Sequence, residues 1–246
     1  MLDGGKLRCE NNKEECARMR IKIDFEEIPE IDVRTVSVIG SFNNYDETAG
    51  IMRKEGNVWS AYVDLGPGEH YYKFLINHEI KLNDPNTNVY LPDKDEEELW
   101  SAIIINEKGE RLYNNEQYSV NIEDYAVCGT VTEAEIGISK KNYNLLMDKR
   151  IAARFGFKEI SGLHAVTAVW YNAKGQLHEV AENMLYADEN PDDMVYLWFW
   201  IDLGEAGVEY PEGMWTMKLF IDGRYILEDQ YLLSRSITYT RNTVLH

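Results

Sequence analysis

The run from Arg34 to Pro85 admits few folds. Val36, Val38 and Phe42 alternate along a strand that passes Gly40, where a missing Cβ relaxes the backbone. A polar-aromatic turn, Ser41-Phe-Asn-Asn-Tyr45, follows. Asn57 to Leu65 then forms a strand whose larger side chains are Trp59, Tyr62 and Leu65, and Gly66-Pro67-Gly68 is strong turn chemistry. His70 to Asn77 returns as a further strand, and Asp84-Pro85 opens a loop. Short period-2 segments with tight turns specify a small antiparallel β-domain.

The flanking segments extend the pattern. Met19, Ile21, Ile23 and Phe25 share one face of an alternating strand, and Leu99 to Asn106 closes the unit as its last strand. Lys94 to Glu98 is a charge run and reads as a solvated loop, while residues 1–17 form a polar arm. Residues 18–106 are thus expected to be one β-sandwich, and residues 107–143 a connector with one or two short strands. From Asn144 a second pattern begins, with alternation in 150–160, 164–171 and 177–186. Met194 to Asp202 is nearly all apolar, as expected for a strand covered on both sides. The Asp222-Gly223 pair, between Gly213–Ile221 and Arg224–Leu233, is the most specific hairpin signal in the chain. No long helical period occurs. The expectation is an all-β protein of two antiparallel immunoglobulin-like sandwiches, the second at 144–246.

A chain of 246 residues with 44% hydrophobic content can bury real cores. Its net charge of -18 is spread over both halves and repels phosphate backbones and anionic lipid, which argues against nucleic-acid and membrane partners. Cys9, Cys16 and Cys128 are scattered, without a Cys-x-x-Cys pair, so no zinc site or disulfide framework is expected. Asp188 to Asp193 is rich in oxygens but lacks the ligand spacing of a calcium loop. The five histidines form no His-x-x-x-His pair, and no nucleophile elbow, phosphate-cradling loop or dinucleotide fingerprint is present. These features predict a cytoplasmic, non-catalytic protein without cofactor or metal. Neutral ligands such as glycans stay open.

Within residues 18–106, the ordered set Val38-Ile-Gly-Ser-Phe-Asn-Asn-Tyr45, Trp59, Leu65-Gly-Pro-Gly-Glu-His-Tyr-Tyr-Lys-Phe74 and Asp84-Pro85 resembles the family-48 carbohydrate-binding modules. These include the glycogen-binding domain of the AMP-activated kinase β subunit and the early-set domains of isoamylases and branching enzymes. The resemblance implies an α-glucan ligand held on aromatic platforms beside fixed hydrogen-bonding groups. Tyr45 falls where the glycogen-binding relatives carry their first tryptophan platform, and Lys73 falls on the family lysine. The second platform falls on Ile80 or Lys81, neither aromatic, and the closing asparagine falls about Ser101. Trp100, beside Ser101, is the candidate substitute ring. The expected sugar-binding set is Tyr45, Lys73, Trp100 and Ser101.

The second half carries an aromatic band from Trp170 to Phe220. On strand alternation Trp198 and Trp200 share one face and Phe199 takes the other. Most of the band belongs to a core, and an exposed remnant of two or three rings would suit a sugar chain or a protein partner. Two functions follow. The first is a non-catalytic binder of an α-glucan such as glycogen or an oligosaccharide. The second is a scaffold or protein-interaction protein in which the sugar site has been lost.

Overall fold

The computed structural model describes residues 18–87, 89–93, 98–114, 117–129, 139–187 and 193–236. The polar arm, most of the 94–98 charge run and residues 188–192 of the oxygen-rich turn lie outside the described residues. Among the described residues, everything regular except one short turn, Ser41–Asn43, is β-strand. Among the described residues no helix is long and apolar enough to cross a membrane.

The first sandwich contains strands β1 (Met19–Glu26), β2 (Val36–Gly40), β3 (Arg53–Glu55), β4 (Val58–Leu65), β5 (Gly68–Ile76), β6 (Ile80–Leu82), β7 (Tyr90–Pro92), β8 (Leu99–Ile105) and β9 (Arg111–Leu112). One sheet has the order β1-β4-β3 and the other β2-β5-β8-β7, with β6 on β5 and β9 on β8. Their facing apolar sets, among them Ile21, Ile23, Phe25, Val38, Phe74 and Ile103, form one buried core. The predicted Gly66-Pro67-Gly68 turn joins β4 to β5, and Gly68 has φ +131. Gly40 serves a purpose other than backbone relaxation. Its φ of -174 is extended, and a Cβ there would collide with the Tyr71 carbonyl.

The second sandwich contains β10 (Ser119–Cys128), β11 (Asn142–Asn144), β12 (Arg150–Ser161), β13 (His164–Tyr171), β14 (Leu177–Leu185), β15 (Val195–Asp202), β16 (Gly213–Ile221) and β17 (Arg224–Ser234). Its sheets have the orders β10-β12-β15 and β11-β17-β16-β13-β14. The core between them holds Trp170, Trp215, Phe155, Phe199 and Tyr231, so much of the aromatic band is internal. The Asp222-Gly223 hairpin forms as read, with φ of 53 and 79 at its two central residues, the positive pair that a two-residue turn of this hand requires.

Two expectations change. The 107–143 segment does more than connect: β9 extends the first sandwich, while the ten-residue β10 pairs with β12 and is an integral strand of the second. Its burial alternates only partially, which leaves the period-2 signal weak. Likewise β15 is covered on one face only, because Tyr196 and Trp200 are exposed.

The sandwiches share an interface. The face of β13, β14 and β16 turned away from the second core carries Val169, Val180 and Phe220, and these pack onto the first core. A Cβ on Gly223 would collide with the carbonyl of Asn83, so the hairpin tip docks against the first sandwich. Lys218 also donates to the carbonyl of Glu30.

Candidate functional site

Alternation along β5 sends Tyr72, Phe74 and Ile76 into the first core and Tyr71, Lys73 and Leu75 to the outer face of the sheet. Ile39 of β2 lies directly across from Lys73, and Ile39, Leu75, Trp100 and Tyr71 form a small cluster of their own on that face. Tyr45 reaches the cluster because the turn after β2 bends sharply. Asn44 and Tyr45 are both left-handed, with φ of 53 and 59. Asn43 fixes that bend: its Oδ1 accepts from the Gly40 N–H at 2.9 Å, and its Nδ2 donates to the Val38 carbonyl at 3.0 Å. The Phe-Asn-Asn-Tyr run thus works as a support that presents a ring.

That ring is 47% exposed and meets Trp100 edge-on, centroids 5.2 Å apart. Trp100 is buried, and Lys73 Nζ lies 4.9 Å from its ring centre. Three of the expected residues therefore form one stack: Tyr45 outermost, Trp100 beneath it, Lys73 against Trp100. Trp100 Nε1 is buried without a hydrogen-bond partner among the described residues.

Lys73 itself is 1% exposed. Its ammonium donates to Glu98 at 3.2 Å and to Glu182 of β14 at 2.8 Å. Glu182 also accepts from Thr167 Oγ1. Burial pushes the Glu182 carboxyl above the ordinary carboxylate range, and the Lys73 charge opposes that shift. The lysine expected to donate to sugar hydroxyls is thus satisfied by a carboxylate from the second sandwich. Ser101 is also spent internally: its Oγ accepts from the Asp84 N–H at 2.7 Å and donates to Asn83 Oδ1 at 3.1 Å. It is fully buried and offers solvent no hydroxyl. Of the two second-platform positions, Ile80 lies in the first core, whereas Lys81 is exposed opposite Leu75.

A residue pair not legible in the sequence joins the start of β13 to the β16–β17 turn. His164 Nδ1 lies 2.7 Å from Asp222 Oδ2, and its Nε2 faces the carbonyls of Ser119 and Ser161 at 3.2 and 3.0 Å. Tyr118 packs edge-on against the imidazole. Both ring nitrogens face protein oxygens, and the pair ties β13 to the turn of the β16–β17 hairpin. Among the described residues no group of three or more His, Cys, Asp or Glu side chains is arranged to hold a metal.

Residues 30–104 match the family model described as the glycogen recognition site of AMP-activated protein kinase. No curated protein sequence matches the chain. Among solved structures, an immunoglobulin-like protein from Pseudomonas aeruginosa is similar at 16% identity over 48% of this chain and 98% of its own, with a TM-score of 0.33. A maltogenic amylase from S. marinus is similar at 15% identity over 85% of this chain and 26% of its own, with a TM-score of 0.30. A beta-glucosidase from Listeria innocua, in complex with glucose, is similar at 8% identity over 51% of this chain and 17% of its own, with a TM-score of 0.31. The chain thus spans only a small part of either enzyme.

Proposed function

We propose that this chain is a non-catalytic carbohydrate-binding protein whose first sandwich holds a neutral α-glucan, such as glycogen or an oligosaccharide, on the Tyr45 shelf. One observation carries the reading: within the stretch that matches the glycogen recognition family, Tyr45 is presented to solvent on top of Trp100. A glucan offers apolar C–H faces, and an exposed ring held from behind by a second ring suits them. Lys73 acts from beneath, as a charge under Trp100. Tyr71, partly exposed beside the shelf, donates its hydroxyl to Glu69 at 2.9 Å and supplies a polar edge. Affinity electrophoresis of the full chain through glycogen-containing gels tests this. Retardation of the wild type that is lost in Tyr45→Ala is the expected result; no retardation, or retardation unchanged in Tyr45→Ala, sinks the reading.

The ion pair between Lys73 and Glu182 favours a second reading. A lysine taken up by the second sandwich turns the former ligand face into a docking face, and the chain into a scaffold with a protein partner. Co-purification of a stable protein partner, disrupted by substitutions on the second sandwich and accompanied by no glycogen retardation, supports this alternative.

A further inference from the structure

We infer that the outer face of the β10-β12-β15 sheet is a second, separate platform for a neutral, extended gluco-oligosaccharide chain. Tyr196, Trp198 and Trp200 project from one side of β15, their attachment points roughly 6.7 Å apart along the strand. Their neighbours Phe199 and Ile201 point into the core. Tyr196 is 45% and Trp200 42% exposed.

The rings recline on small residues. Tyr196 and Trp200 lie across from Gly156 and Ala152 of β12. A Cβ on Gly156 would fall 2.8 Å from the Tyr196 ring. Only glycine lets that ring lie over the neighbouring strand.

Two guanidinium groups sit among the rings. Arg154 lies 4.6 Å from the Tyr196 centre and 5.7 Å from that of Trp198, and Arg150 lies 5.8 Å from that of Trp200. Each is matched by a carboxylate: Arg154 pairs with Asp124, and Arg150 with Asp202 at 2.8 Å. The Arg154 side chain is 9% exposed, and its Nε has no hydrogen-bond partner among the described residues.

These features select the ligand. The rings supply stacking faces, the guanidiniums keep spare donors, and the carboxylates accept from hydroxyls. Because the charges cancel pairwise, the strip calls for a neutral partner with apolar C–H faces and hydroxyl edges. A polyanion would meet Asp124, Asp202 and a chain of net charge -18. Strand-to-strand addition by a second copy is opposed at the β15 edge, where Asn183 Nδ2 already donates to the Trp198 carbonyl at 3.3 Å. The inference rests on the carbohydrate reading for its ligand class only, not on the Tyr45 shelf.

The test is maltoheptaose titration of the full chain, followed by tryptophan emission and by calorimetry. The variants are Tyr196→Ala, Trp200→Ala and Tyr45→Ala, each checked for an unchanged melting temperature. Tyr196→Ala and Trp200→Ala are each expected to weaken one binding step about tenfold, or about 1.4 kcal/mol, and that step persists in Tyr45→Ala. Binding unaltered by both strip substitutions but abolished by Tyr45→Ala overturns the platform and leaves the Tyr45 shelf standing. Binding untouched by Tyr45→Ala and lost with the strip does the reverse. A wild type that does not bind maltoheptaose overturns both. A self-associated chain that Trp200→Ala converts to monomer, without effect on sugar, overturns the platform in favour of a subunit interface.

Discussion

Lys73 and Glu182, 109 residues apart in sequence, meet at 2.8 Å across the two sandwiches. Lys73 is 1% exposed and Glu182 15%. Charges this far from water are costly unless matched, and removing one partner leaves the other buried and uncompensated. Lys73→Met is therefore expected to destabilise the protein by about 3–5 kcal/mol, whereas replacing both partners, as Lys73→Met with Glu182→Leu, costs much less. Guanidinium unfolding of the two single variants and the double variant measures the coupling. Additive losses would contradict a direct pair.

The same pair sets a pH dependence. Burial raises the Glu182 carboxyl in the folded state, so the native protein binds the proton more tightly than the unfolded chain. Glu182 therefore lowers stability as pH rises from the ordinary carboxylate value to its raised folded value. Lys73→Met removes the charge that opposes the shift, which extends the window upward and steepens the fall. Urea midpoints measured from pH 5 to 8 are expected to drop more in Lys73→Met than in the wild type. The Glu182→Gln background abolishes that difference; a difference that survives there would assign the slope to another group in contact with Lys73.

Interface docking can be separated from backbone strain by two glycines. Gly223 and Gly175 both have positive φ, 79 and 73, so alanine is strained at either. Nothing lies near a Cβ at Gly175, whereas one at Gly223 meets the backbone of Asn83. Gly223→Ala is expected to cost roughly 1–3 kcal/mol more than Gly175→Ala, the range for overpacking a close contact. Equal losses in thermal melts would mean that the hairpin tip does not press on the first sandwich.

The local grammar of the chain was legible. Period-2 runs and turn residues located most strands, and Asp222-Gly223 located a hairpin whose two positive φ angles few other pairs accept. What escaped was pairing at a distance. The resemblance treated Lys73 as a sugar donor because the residue that engages it, Glu182, lies outside the matched stretch 30–104. The resemblance places the family's closing asparagine on Ser101, whose hydroxyl faces inward to Asp84 and Asn83, on the side of the sheet opposite Trp100. The strand β15 looked buried because tyrosine and tryptophan read as apolar; they are amphipathic, and here they lie half in water.

Trp100 is the remaining link between fold and site. Its indole N–H makes no hydrogen bond among the described residues, so its contribution is the ring itself, wedged between Tyr45 and Lys73. Trp100→Phe keeps a ring there and removes only an unpartnered donor; it is expected to keep glycogen retardation at a modest stability cost. Trp100→Ala removes the support, with a stability loss of about 3–5 kcal/mol for a buried ring, and Tyr45 then has no surface to rest on. Retardation in glycogen gels, run well below the melting temperature of each variant, is expected for Trp100→Phe and not for Trp100→Ala. Full retardation in a folded Trp100→Ala variant would show that Tyr45 holds sugar without the ring beneath it, and the two-ring shelf would have to be abandoned.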